Sequence, residues 1–224
     1  MHTLAGLFIV MKYQKTAKTY EEQADLLISR KMAGVRSSII EKLSTVNYYR
    51  LSGYWHPFQD QATGDFRSGT TFDMIWDRYV FDRQLRLLTL DAIERIEVYL
   101  RSGLANALAM EDAASLGVHD KVLCSWIEVL NIIRNMAAHH GRLWNRTMGI
   151  RPKIPQKDSA WHAPVEIGND RMFGVLSICR YCLRRIAPQS QWQTRLEDLF
   201  GNSPSIPIQK LGFPANWKSS PIWQ

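Results

Sequence analysis

Apolar positions along the chain recur mostly at three- and four-residue steps. That spacing puts one stripe on a helix of 3.6 residues per turn. Thr19 followed by Glu22 reads as a helix cap with its reciprocal acid. The helix it opens carries Ala24, Leu27 and Ile28 on one face and ends near Gly34. A second helix from about Ser37 carries Ile39, Ile40, Leu43 and Val46. The densely aromatic segment from Asn47 to Trp55, closed by Pro57, reads as a loop or short extended piece. Residues 61–71 contain Gly64 and Gly69 and read as an exposed turn, with Phe66 a weak candidate for a small hairpin.

A long helix is predicted over 72–110. Ile75, Tyr79, Leu85, Leu88, Ala92, Ile96, Tyr99, Gly103 and Ala107 follow helical spacing, while Arg83, Arg86, Glu94, Arg95, Glu97 and Arg101 occupy much of the other face as a solvated, ion-paired surface. After a break at 111–120, a second core helix is predicted over 121–138, with Leu123, Ile127, Leu130 and Ala137 in register. A proline-bearing loop at 151–169 leads to a helix over 170–186, ended by Pro188. A last helix over 191–200 precedes a Pro-rich tail, 203–224, that Phe213, Trp217 and Trp223 can pin to the body. Few segments alternate as strands do, so the expected class is all-α.

The chain has 224 residues, 46% of them hydrophobic, enough for a real core. Its formal charge of +7 favours a polyanionic partner, of which nucleic acid is the commonest. No apolar run reaches some 20 residues, so no transmembrane helix and no membrane association are expected. Residues 1–10 read as a loose arm or an upstream start artefact. An odd cysteine count (Cys124, Cys179 and Cys182) without a secretory signal suggests a reducing, cytoplasmic setting. Cys179 and Cys182 share a helix face and read as buried packing residues, because a zinc site needs a second such pair. No metal and no cofactor are expected.

The stretch from Leu130 to His140 carries the candidate chemistry. Cleavage of RNA by its own 2′-hydroxyl needs one proton removed, one delivered, and the phosphorane charge stabilised. Histidine titrates near neutrality and can move either proton. Arginine stays charged and offers a planar fork to phosphate. Arg134 and His139 supply this minimal pair, although on an ideal helix they diverge by about 140°; Asn135 aligns better with His139, four residues on. An arginine and a histidine that merely complement the negative end of a helix give the same pattern. Tyr48, Tyr54 and Trp55 beside Arg50 read equally as core plugs or as base-stacking rings.

Five segments occur in an order that resembles the Abi (abortive infection) family of the type called AbiD or AbiF: Tyr20 to Gln23, Asn47 to Trp55, Phe81 to Arg86, Ala92 to Glu97, and Ile133 to Arg146. The resemblance covers about residues 11–186 and implies a HEPN-like helical bundle, here with a small N-terminal helical element and an irregular C-terminal tail over 187–224. It implies that Arg134 and His139, with His140 as the in-range alternative and Asn135 as the polar neighbour, form a metal-independent ribonuclease site. It also implies a face-to-face homodimer, a role in phage defence, and in some members a guarding structured RNA. Arg50, Arg142 and Arg146 are the expected RNA-backbone contacts, with Arg142 and Arg146 reading equally as ordinary surface charges. The chain departs from the family near 110–118, where the linking segment is short. The alternative functions are a non-catalytic RNA-binding module, or a shortened partner of a full-length relative.

Overall fold

A computed structural model describes residues 17–105 and 116–224, with side chains through Ser102 and again from Leu116. Seven α-helices and four short 3₁₀ turns are present among these, and no strand, only two isolated bridges. The class is all-α, as the periodicity predicts. The chain divides into two compact units, 1–72 and 73–224. The expectations for residues 1–10, for the end of the long helix at 106–110, and for most of the shortened segment lie outside the described residues.

In the first unit, α1 (Tyr20–Ser29) opens as expected: Glu22 N–H bonds the Thr19 hydroxyl at 3.2 Å, and Thr19 N–H bonds the Glu22 carboxylate at 2.8 Å. It ends at Ser29, five residues before Gly34, because Lys31 turns into the left-handed region (φ 69°). Ala24 and Leu27 are buried, but Ile28 is 38% exposed and leaves the predicted face. Helix α2 (Arg36–Thr45) buries Ile39 and Leu43.

The aromatic segment departs from expectation: it is α3 (Tyr48–Trp55), not a loop. The Asn47 side chain accepts from Tyr49 N–H at 2.8 Å, so a good cap overrides the weak helix propensity of aromatic residues. Tyr54 and Trp55 are buried, whereas Tyr49 is 66% exposed. Phe66 is buried and makes one antiparallel bridge to Gln59, the remnant of the expected hairpin.

The second unit is built on α4 (Phe72–Ala105), α5 (Asp120–Ala138), α6 (Met172–Ile186) and α7 (Trp192–Gly201). Phe81, Leu85, Ala92 and Ile96 of α4, Trp126, Leu130, Ile133 and Ala137 of α5, and nearly all of α6 share one apolar core. Cys179 and Cys182 are buried within it, as expected. The tail is irregular but packed: Phe213, Trp217 and Trp223 are buried, and Trp223 Nε1 donates to Ser177 Oγ at 3.0 Å. Two helical-face assignments fail. Ile127 is 43% exposed. Arg86, assigned to the solvated face of α4, is 4% exposed and paired with the fully buried Asp82 four residues before it.

Candidate functional site

The motif occupies the end of α5. His119 caps the start of this helix, its ring nitrogen accepting from Lys121 N–H. At the other end the chain reverses sharply. His140 N–H bonds Ala137 O at 3.0 Å, and Gly141 N–H bonds Met136 O at 2.7 Å. This is a Schellman closure, and its left-handed position, which usually takes glycine, holds His140 at φ 59°. A non-glycine residue there costs of order 1 kcal/mol. Gly141 is required by space: a Cβ would lie 2.6 Å from Met136 Cγ and 3.0 Å from Met136 O. His139 is the cap residue just past Ala138, so the ideal-helix angle to Arg134 no longer describes its side chain.

Asp82 fastens this reversal to α4. Its Oδ1 accepts from Leu143 N–H at 3.0 Å and Trp144 N–H at 2.6 Å, and its Oδ2 pairs with Arg86. Leu143 and Trp144 are buried beside it. Position 82 is thus the hidden support of the turn that carries both histidines. Sequence reading missed it; the only local signal is an acid four residues before a basic residue, a pattern usually found on solvated faces.

Arg134 is half exposed and held from two sides. Its Nη2 donates to Asn131 Oδ1 at 3.0 Å. Its Nε lies 3.0 Å from Glu97 Oε1 without hydrogen-bond alignment, while Glu97 Oε2 takes Arg101 at 3.3 Å. Glu97 and Asn131 were not among the sequence candidates; Glu97 counted only as surface charge. The Asn131 contact lies on the side of the guanidinium toward the earlier part of α5. His139, Asn135 and His140 are exposed at the later end. Within the chain, Arg134 is therefore brought together with Glu97 and Asn131, and no hydrogen bond or ion pair joins it to His139 among the described residues.

Arg146 is exposed and Arg142 half-buried just past the motif; Arg50 lies in the first unit, on α3. No helix among the described residues is long and apolar enough to cross a membrane. No group of three metal-ligating side chains occurs among them either.

No curated protein and no solved structure shows significant similarity to the chain. A family model described as Abi-like protein matches residues 41–116 and 110–145. The two pieces meet within 110–116, between α4 and α5. Together they span α3, the Asp82 and Glu97 positions of α4, and the whole Arg134 to His140 motif. The chain belongs to the Abi-like family.

Proposed function

We propose that the protein is a metal-independent RNA endonuclease of abortive-infection phage defence, acting at the end of α5 in the manner of HEPN nucleases. The observation that carries the reading is that one helix end presents both a surface-held Arg134, positioned by Glu97 and Asn131, and exposed imidazoles on a tied-down turn five and six residues beyond it. Arg134 holds the scissile phosphate and offsets charge on the phosphorane. One imidazole takes the 2′-hydroxyl proton as that oxygen attacks phosphorus. A second delivers a proton to the departing 5′-oxygen, leaving a 2′,3′-cyclic phosphate.

A lone chain presents its arginine and His139 separately, so the proposed active form is a homodimer in which each site draws on both copies. Two exposed apolar residues support the dimer face. Val98 adjoins Glu97, and Ile127 lies two turns before Arg134 on the same side of α5. Charge supports the substrate class. Residues 139–224 contain 12 Lys and Arg against 5 Asp and Glu, whereas residues 1–138 contain 16 of each. The whole net charge therefore follows the motif.

A second reading, a non-catalytic RNA-binding module, is favoured by one fact: the guanidinium is already neutralised by Glu97. Incubation with RNA in EDTA separates the two. The nuclease reading expects cleavage with a 2′,3′-cyclic end, no cleavage of an analogue lacking the 2′-hydroxyl at the cut, and a loss of about 10²-fold in His139→Ala. Dependence on magnesium, or equal cleavage of the deoxy analogue, rejects it. Intact RNA without activity in any variant, with binding retained, selects the second reading.

A further inference from the structure

Residues 139–157 contain Arg142, Arg146, Arg151, Lys153 and Lys157 and not one Asp or Glu. The segment has no helix or strand, yet its backbone is tied down at four places. Leu143 and Trp144 bond Asp82. Met148 N–H bonds Asp170 O at 2.8 Å. Asn169 donates to Pro152 O at 3.0 Å. Lys153 N–H bonds Ser125 Oγ at 2.9 Å, and Lys153 O accepts from Trp126 Nε1 at 2.8 Å. Leu143, Trp144 and Met148 are buried, so the apolar side chains anchor the strap while Arg146, Arg151, Lys153 and Lys157 project into solvent.

Elsewhere several described cations have acidic partners: Arg36 with Asp25, Arg95 and Arg195 with Asp91, Arg101 and Arg134 with Glu97, Lys218 with Glu197. Among the described residues, Arg146, Arg151, Lys153 and Lys157 have none. Ordered backbone with uncompensated cations suits a ligand that brings many negative charges in a line.

The direction is also defined. The strap leaves α5 at His139 and is next bonded to that helix at Ser125 and Trp126, about 20 Å back along its axis at 1.5 Å per residue. Its far end, Lys153 to Lys157, lines an open cavity of about 940 Å³ together with His119, His162 and Asn169.

We propose that residues 142–157 are a phosphate track for single-stranded RNA, leading from the motif to this cavity and covering about 4 nucleotides, the short end for such grooves. The inference builds on the RNA reading above and adds Arg151, Lys153 and Lys157 to the binding surface.

The test uses the full chain carrying His139→Ala, so that RNA stays intact. Affinity for a single-stranded RNA is measured against salt for three proteins: this parent, a strap triple (Arg151→Gln, Lys153→Gln, Lys157→Gln), and a control triple of equal charge change (Arg83→Gln, Arg184→Gln, Lys210→Gln). Each lost phosphate contact removes about 0.7 from the log–log salt slope. The strap triple should therefore lose about 2 in slope and about 50-fold in affinity near 0.15 M salt. The control triple should stay close to the parent. Arg151→Lys with Lys153→Arg and Lys157→Arg should restore binding, which a folding defect at these positions would not allow. Equal losses in both triples overturn the track in favour of diffuse net charge. Anionic vesicles bound as tightly, with the same loss in the strap triple, overturn it in favour of a membrane surface. A parent with no affinity for RNA removes the RNA reading itself, and the track with it.

Discussion

Asp82→Ala should be among the most damaging single substitutions in the second unit. It removes a fully buried carboxylate that accepts from two backbone N–H groups and pairs with an arginine only 4% exposed. Leaving a buried guanidinium without its partner costs about 3–5 kcal/mol. Each stranded N–H costs about 1–3 kcal/mol when fully lost. These losses overlap, because the turn at Leu143 can rise toward water once released. A total of about 4 kcal/mol is expected, a large share of the roughly 5–15 kcal/mol typical of a domain. Asp82→Asn keeps an oxygen for both N–H groups but loses the charge and turns an amide NH2 toward the Arg86 donors, so it should cost about 1–2 kcal/mol less than the alanine change while leaving Arg86 without this acceptor. Adding Arg86→Met to Asp82→Asn should recover part of the loss, since the orphaned cation is then gone. Urea unfolding followed by tryptophan emission reads this unit well, because all eight tryptophans except Trp55 belong to it. Asp82→Ala within 1 kcal/mol of wild type, or no recovery in the double variant, would refute the clamp.

Three further outcomes follow from the same region. Glu97→Gln should lower RNA cleavage about tenfold while leaving RNA affinity equal or higher, because Arg134 loses its support but also its neutralising charge; paired assays of rate and binding check this. Gly141→Ala should destabilise by about 1–3 kcal/mol, as its Cβ collides with Met136, and the thermal midpoint should fall accordingly. Of the three thiols, only Cys124 should react with a thiol reagent in the native protein. Burial pushes the Cys182 thiol up to about 12 and Cys179 higher still, so neither forms thiolate at neutral pH; labelling of more than one thiol before unfolding would contradict this.

What the sequence disclosed and what it hid divide along physical lines. Long amphipathic helices are readable because their stripes repeat over many turns: α4 and α5 fall where the periodicity puts them, and α6 lies within two residues of its expected bounds. Helix α3 is not, because a run of eight residues offers little periodicity and aromatic residues favour strands; its cap at Asn47 is the usable signal. Arg134 and His139 stand out as candidates from residue type and order, and the structure gives their positions at the end of α5. Their supports do not stand out: Asp82 and Glu97 act on segments far along the chain, and a charge on a helix looks the same whether it faces water or a neighbouring turn, while Asn131, three residues before Arg134 on the same helix, reads as an ordinary surface amide. Ile127 illustrates the reverse error: it keeps helical register with Leu123 and Leu130 yet faces outward, because the apolar face of α5 is centred on Trp126, Leu130 and Ile133.

The placement of aromatic rings limits what the second unit can discriminate. Trp126, Trp144, Trp161, Trp192, Trp217 and Trp223 are all buried, and the large apolar side chains exposed in this unit are the aliphatic Leu87, Val98, Ile127 and Ile150. Among the described residues most flat rings of this unit are taken up by packing, Trp76, Tyr79 and Tyr99 only in part, and what faces outward at and beside the motif is imidazole, guanidinium and ammonium. On the proposed RNA reading, a surface of that kind would respond to charge density along a strand more than to the identity of its letters. If the proposed nuclease reading holds, the choice of target would then rest mainly on whether a strand is unpaired and within reach of the turn at His139, and restraint would come from when the protein is active more than from what it reads.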